Sequence, residues 1–434
     1  MDVARFPHLQ RKNLSVSHSA TTAGSDVPEI ARVQRTALRV LVSAQILSGA
    51  GLAAGITVGA LLAQDMLDST SLSGLPSALF TAGSAVAAVA VGRLSQARGR
   101  RPGLAAGYLA GAVGSLGVIA AAALDTPILL FLALFVYGAG TATNLQARYA
   151  GADLADPAHR GRAVSTVLVA TTLGGVVGPN LAAPTGSLAE GLGIPYLAGP
   201  FLLAALAYAL AALVLAVWLR PDPLLLAREI GATEAVDLPE QTPSPIVKRI
   251  DKGIAAGGFV MAVTQLVMVA IMTMTPVHML AHGHGTAAAG VVIAVHVGAM
   301  YLPSPVTGWL VDRYGRLPVA AASGMTLLAA GLLAASVPGD SVGLLAVALA
   351  LLGLGWNLGL VAGTAIITDT VPLATRAKTQ GTVDVSIAIA GATGGMGSGL
   401  IVAASSYPTL ALAGGILALA VVPVAAFTAG RHPT

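Results

Sequence analysis

The feature that most restricts this chain is a succession of twelve apolar runs separated by short breaks, with basic residues confined to every second break. The runs lie at residues 38–63, 73–92, 103–124, 127–149, 162–183 and 197–219, then at 254–277, 286–311, 318–337, 341–367, 379–402 and 408–428. A membrane helix needs roughly 20 apolar residues, so each run can cross a bilayer. Charged residues make up 10% of the 434 positions and hydrophobic ones 55%, whereas soluble domains carry about 25% charged residues. The pattern predicts an all-α integral membrane protein with twelve transmembrane helices, and it excludes a soluble enzyme held by an anchor.

Lys and Arg concentrate in cytoplasmic loops, while acids contribute little to orientation. Arg93, Arg98, Arg100 and Arg101 follow the second run; Arg148, Arg160 and Arg162 are counted between the fourth and fifth; Arg313 and Arg316 follow the eighth; Arg376 and Lys378 lie between the tenth and eleventh. The alternate breaks hold Asp65, Asp68, Asp125, Glu190 and Asp340 without any Lys or Arg. Both termini are therefore expected in the cytoplasm, with the chain spanning a bacterial inner membrane. The expected organisation is a cytoplasmic tail (1–37), a six-helix half (38–219), a polar, proline-rich cytoplasmic linker (220–252), a second six-helix half (253–428) and a short cytoplasmic end (429–434).

The halves repeat. A shift of 216 positions pairs Gly92 with Gly308, Gly99 with Gly315, Arg100 with Arg316 and Pro102 with Pro318. The same shift pairs Asp153 with Asp369, Arg160 with Arg376, Gly175 with Gly391 and Gly178 with Gly394. Parallel six-helix repeats mark one large class of secondary transporter, so two pseudo-symmetric halves are expected.

The segment Gly308-Trp309-Leu310-Val311-Asp312-Arg313-Tyr314-Gly315-Arg316 resembles the loop signature of the major facilitator superfamily, and the resemblance implies that fold. Gly315 suits a tight turn, and Asp312 can accept hydrogen bonds from a neighbouring helix N-terminus. Basic side chains such as Arg313 and Arg316 can latch to carboxylates. Gln96 and Ala97 replace the aspartate and arginine of the first-half copy, which predicts a weaker latch there. Asp153, Arg160, Asp369 and Arg376 are expected to form paired gate contacts at the cytoplasmic ends. In the fifth run, Gly174-Gly175-Val176-Val177-Gly178-Pro179 resembles part of the antiporter signature of drug-efflux members; small residues that let helices pack closely explain it equally.

The candidate cargo site is a methionine and histidine constellation. Met268 and Met272 stand four apart on the seventh run, and His296 and Met300 four apart on the eighth. Residues at that spacing share a helix face. Thioether and imidazole suit Cu(I), and the chain holds no cysteine to compete. An ionisable residue such as His296 within a span is by default functional, whereas methionine alone is a flexible core filler. The two pairs resemble the motifs of the CcoA-like copper importers within the same superfamily. That resemblance implies copper as substrate, with a cytoplasmic copper chaperone as a partner. His278, His282 and His284 at the outer mouth either collect the metal or are merely solvated.

Asp384 is the one acid inside a span. It either takes up and releases a proton during transport or is locked by Arg148 as structure. No phosphate loop with a lysine and no histidine-glutamate zinc motif occurs, so an enzyme is not expected and no prosthetic group is required. The net charge of +4 follows from the loop bias and needs no nucleic-acid partner. A monomer in the lipid bilayer is expected. The leading reading is copper import by alternating access. The alternative is a proton-coupled efflux antiporter for small hydrophobic molecules, and a third reading is a binding protein or sensor on the same fold.

Overall fold

The computed structural model describes residues 23–67, 75–236, 244–338 and 341–429. The first half comprises α1 (Ala23–Leu67), α2 (Leu75–Arg98), α3 (Arg100–Ala123), α4 (Pro127–Ala152), α5 (Arg160–Asn180), α6 (Ala182–Gly191) and α7 (Gly199–Trp218). After α8 (Pro223–Val236), the second half comprises α9 (Ser244–Ala281), α10 (Thr286–Tyr301), α11 (Ser304–Tyr314), α12 (Arg316–Ser336), α13 (Val342–Thr370), α14 (Arg376–Ala404), α15 (Tyr407–Ala418) and α16 (Val421–Ala429). Among the described residues, ten helical stretches are long and apolar enough to cross a membrane. With α1 and α5 they make the twelve membrane-spanning segments, six to each half.

Several elements differ from the sequence reading. The helix α1 starts at Ala23, inside the stretch expected as a tail; residues 1–22, 237–243 and 430–434 of the expected termini and linker lie outside the described residues. The polar linker folds in part as α8. The fifth run is interrupted at Leu181 between α5 and α6, the eighth near Pro303 between α10 and α11, and the twelfth between α15 and α16. At the eighth, Pro303 has no N–H to continue the helical ladder. Asn357 of α13 stitches the break: Nδ2 donates to the Met300 carbonyl at 2.7 Å and to Ser304 Oγ at 2.7 Å, and Oδ1 accepts from Thr307 Oγ1 at 2.6 Å. Irregular backbone at membrane depth persists only where such partners satisfy it.

Large apolar side chains such as Leu116, Ile128, Leu132 and Leu400 are exposed on the outside, the arrangement a lipid solvent permits. Buried polar side chains occur in both halves, and in the first they form a connected set. There Gln45 Nε2 donates to the Asn144 carbonyl and Thr171 Oγ1, both at 3.1 Å, and Tyr108 donates to Gln45 Oε1 at 2.5 Å. These bonds stitch α1, α3, α4 and α5 together.

The repeat is visible in the backbone. Gly99, between α2 and α3, has φ +99°, and Gly315, between α11 and α12, has φ +96°. Only glycine adopts this region without strain. The halves approach most closely at the end that carries the basic loops, here termed the basic end. At Gly92 a methyl group would lie 2.8 Å from the Ala377 carbonyl oxygen, and at the repeat-related Gly308 it would press on Ser165 and on the Gly161 carbonyl. The crossings of α2 with α14 and of α11 with α5 thus both depend on a bare backbone.

Candidate functional site: the gate and the buried charge pair

Two sets of hydrogen bonds related by the repeat join the halves at the basic end. Asp312 at the end of α11 accepts from the backbone N–H groups of Gly161, at 2.8 Å, and Arg162, at 3.0 Å, in the first turn of α5. Gln96 at the end of α2 accepts through Oε1 from the N–H groups of Ala377, at 2.8 Å, and Lys378, at 3.3 Å, in the first turn of α14. A helix N-terminus presents unpaired donors and a partial positive charge. The neutral Gln96 loses some of the dipole attraction that Asp312 enjoys. Its amide recovers contact by donating to the carbonyls of Ala374, at 2.6 Å, and Leu373, at 3.3 Å. The sequence pattern suggested only the loss.

The ion pairs beneath the latches are also repeated. Arg100 Nε lies 2.7 Å from Asp153, and Arg316 Nε lies 2.7 Å from Asp369. Arg160 reaches across the halves to the same Asp369 at 2.5 Å. Arg316 also donates to the Pro157 carbonyl at 2.6 Å, and Arg100 to Gln380 at 2.5 Å, each joining the two halves. Arg376 is buried and donates to the Val371 carbonyl at 3.2 Å. Arg313, expected to latch to a carboxylate, instead lies exposed in the last turn of α11, where a cation meets the negative end of the helix dipole.

Arg148 is not a loop residue. It belongs to α4, is fully buried, and its Nη2 donates to Asp384 Oδ1 of α14 at 2.8 Å. Nη2 also donates to Tyr149 Oη at 2.9 Å, Nε donates to Thr364 Oγ1 at 2.9 Å, and Nη1 bonds the Leu145 carbonyl. The guanidinium lies 4.2 Å from the centre of the Tyr149 ring. Tyr149 donates to Asp384 Oδ1 at 3.2 Å, while Asp384 Oδ2 is buried with no hydrogen-bond partner. Asp384 stands eight residues into α14, about 12 Å above its basic end. The pair therefore forms a buried charged layer above the contacts of the basic end, with one partner contributed by each half. Thr364 and Tyr149 were missed from sequence; the repeat offers a signal for Thr364, which is the counterpart of Arg148.

The methionine and histidine residues divide between two helices that both pack on α13. On α9, Val267 and Ile271 face Gly414 of α15. An adjacent face of the helix carries Met261, Gln265, Met268 and Met272. Met261 approaches Arg148 and Thr364, and Gln265 accepts from Trp356 Nε1 at 2.7 Å. Met268 is buried and Met272 half-buried. On α10, His296 and Met300 are buried, and their backbone packs on Gly353. His296 Nδ1 lies 2.8 Å from the Leu349 carbonyl. A carbonyl only accepts, so Nδ1 carries the proton, and a neutral ring holds its lone pair on Nε2. That atom is buried without a hydrogen-bond partner.

At the far end of α9, the His278 ring stacks on Tyr407 with centroids 4.4 Å apart, and lies 4.2 Å from the His282 ring. His282 Nδ1 lies 2.8 Å from the His278 carbonyl. Among the described residues no group of three or more His, Asp or Glu side chains is arranged to hold a metal ion, His284 included. Gly174, in the segment that resembles the efflux signature, packs directly on the Ile46 carbonyl of α1, the close-packing role small residues serve.

The fold is a membrane bundle of two repeated halves, and comparison places it. The model of the Major Facilitator Superfamily matches residues 41–301 and again 257–434, and the chain belongs to that superfamily. It is 58% identical over 400 residues to YdeG of Bacillus subtilis (strain 168), an uncharacterized MFS-type transporter, covering 92% of this chain and 93% of that one. It is 33% identical over 363 residues to the riboflavin transporter RfnT of Brucella anthropi, covering 82% and 86%. The fold is similar to the human organic anion transporter MFSD10, with a TM-score of 0.72, 14% identity and coverage of 90% and 99%. It is also similar to the fucose:proton symporter FucP of E. coli, at 0.66, 17%, 90% and 98%. The protein is thus a multi-pass membrane transporter of the MFS type.

Proposed function

We propose that the protein is a proton-linked transporter of a small organic solute, with the contacts of the basic end acting as its cytoplasmic gate. The observation that carries this reading is the buried Arg148–Asp384 pair, which joins the halves while leaving Asp384 Oδ2 free to receive a proton. Protonation would remove the charge that holds Arg148 and weaken the bridge; loss of the proton would restore it. Because the pair sits above the latches, its state bears on whether the basic end opens. The positive-inside pattern supports a cytoplasmic basic end, and the likeness to a Bacillus subtilis protein supports a bacterial cytoplasmic membrane.

An organic cargo is favoured over copper because the likeness to a riboflavin transporter extends over 82% of the chain, whereas the copper reading rests on four residues. Trp356 and Tyr301, with ring centroids 5.7 Å apart, and Gln265 offer aromatic and amide surface to a planar solute. A second reading, copper import through Met268, Met272, His296 and Met300, keeps one specific support, the unpartnered Nε2 of His296. It would bring a cytoplasmic copper chaperone as partner. The efflux alternative differs in direction and shares the same coupling pair.

The test uses purified protein in liposomes under an imposed pH gradient, with riboflavin and Cu(I) as separate cargoes. Gradient-driven accumulation of riboflavin that Asp384→Asn abolishes is the expected result. Accumulation of Cu(I) alone, lost in His296→Ala, would replace it with the second reading. Unchanged accumulation in Asp384→Asn would remove Asp384 from proton coupling.

A further inference from the structure

We infer that Arg228 of the inter-half helix α8 is a positioning residue of the gate, clamping the first half to the second on the side where the loop carries a neutral Gln96. The inference rests on the reading of the basic end as a gate, and not on the identity of the cargo. Arg228 Nη2 donates to the Gln96 carbonyl of α2 at 2.9 Å, and its Nε to the Leu373 carbonyl at 3.3 Å. Gln96 belongs to the first half and Leu373, just beyond α13, to the second. One side chain therefore spans the seam.

Leu373 lies in the turn between α13 and α14. Gln96 lies in the last turn of α2, where carbonyls lack helical partners and the dipole is negative, so a guanidinium is favoured there. Its fork suits two separate carbonyls as an ammonium does not. The helix α8 is held in place for this task. Asp222 accepts from the N–H of Arg101 at the start of α3, at 2.7 Å, and from those of Leu224 and Leu225 at the start of α8, at 3.0 and 3.2 Å. Leu224 is fully buried. With its start fixed to the first half, α8 projects Arg228 over the junction of α2 with α14.

The two sides of the gate are unequal in a way this contact offsets. On the α5 and α11 side, the carboxylate Asp312 faces a helix N-terminus and Asp369 collects both Arg160 and Arg316. On the α2 and α14 side, Gln96 is uncharged, and Leu373 accepts from both Gln96 and Arg228. Among the described residues, Arg228 thus adds a cation to the side where the loop contact itself lacks charge.

The absence of cysteine allows a direct test. Spin labels on Arg93→Cys and Lys378→Cys, both exposed and on different halves, report the separation at the basic end in the full-length protein in lipid nanodiscs. Arg228→Ala is expected to raise the ratio of open to closed distances about tenfold, as loss of two charge-assisted hydrogen bonds allows, with Arg228→Lys between it and the parent. Asp312→Ala is the control for the gate itself. A shift with Asp312→Ala but none with Arg228→Ala overturns the role of Arg228 and leaves the gate standing; no shift with either overturns both. A variant that loses thermal stability while its distance distribution stays that of the parent also counts against the inference.

Discussion

Replacement of Asp384 by leucine removes the anion from a site where Arg148 has no exposure to water. The guanidinium keeps only neutral acceptors: Thr364, Tyr149 and the Leu145 carbonyl. Breaking a buried pair from one side costs about 3–5 kcal/mol, because a charge is left uncompensated. Arg148→Leu strands the carboxylate of Asp384 and should cost a similar amount. The double variant Arg148→Leu/Asp384→Leu buries no charge, and its remaining penalty is the unpaired hydroxyls of Thr364 and Tyr149, about 1–3 kcal/mol. The singles sum to roughly 6–10 kcal/mol, so the cycle should show a coupling energy of several kcal/mol. In thermal unfolding of detergent-solubilised protein, each single should lower Tm by on the order of 5 °C, with the double nearer the parent. A single within about 1 kcal/mol of the parent, or a double at the sum of the singles, would refute the claim that the pair is a buried and mutually dependent unit.

Three further outcomes follow from the geometry. Gly92→Leu and Gly308→Val should each prevent closure of the basic end, abolishing transport while leaving the protein folded; labelling that shows an unaltered closed state would contradict the close approach at these glycines. Asn357→Ala should cost about 2–3 kcal/mol, since it strips partners from Met300, Ser304 and Thr307 at the break in the eighth span, measured as a lowered Tm and faster hydrogen exchange near Pro303. Gln96→Glu should weaken the gate despite its added charge, because it exchanges donors to two carbonyls for a carboxylate facing them; a more closed distance distribution would show that helix-dipole attraction wins.

The spans, the halves and the hydrogen bonds of Asp312 to a helix N-terminus were legible because each rests on local chemistry: apolar length, a repeated offset, and a carboxylate in a turn. Arg148 was counted with the basic loops, although its pairing with Asp384 was one of the two roles left open for that acid. Lying four residues from the end of α4, it looks like another basic loop residue, and only the packing of α4 against α14 shows it buried beside Asp384. Gln96 read as a loss because a pattern records the missing charge and not the carbonyls within reach of an amide. The spacing of Met268, Met272, His296 and Met300 identified helix faces correctly but not the intervening α13, whose Leu349 carbonyl takes one nitrogen of His296. Nothing in the order of residues announced that a linker arginine would reach Gln96 and Leu373.

The hydrogen bond from Arg148 to Thr364 joins two positions that are 216 residues apart, the period of the repeat itself. Positions that touch their own counterparts lie on the axis relating the halves. In an assembly of two identical chains, whatever occupies such a place meets a copy of itself. An arginine there would confront an arginine in the low-dielectric interior, and no carboxylate could be placed on one side alone. Joining both halves in one polypeptide lifts that restriction. Each axial position can then diverge independently, so that a cation from one half can find its hydroxyl and its anion in the other. The charged centre of this protein is therefore chemistry that two separate, identical subunits of half its length could not assemble.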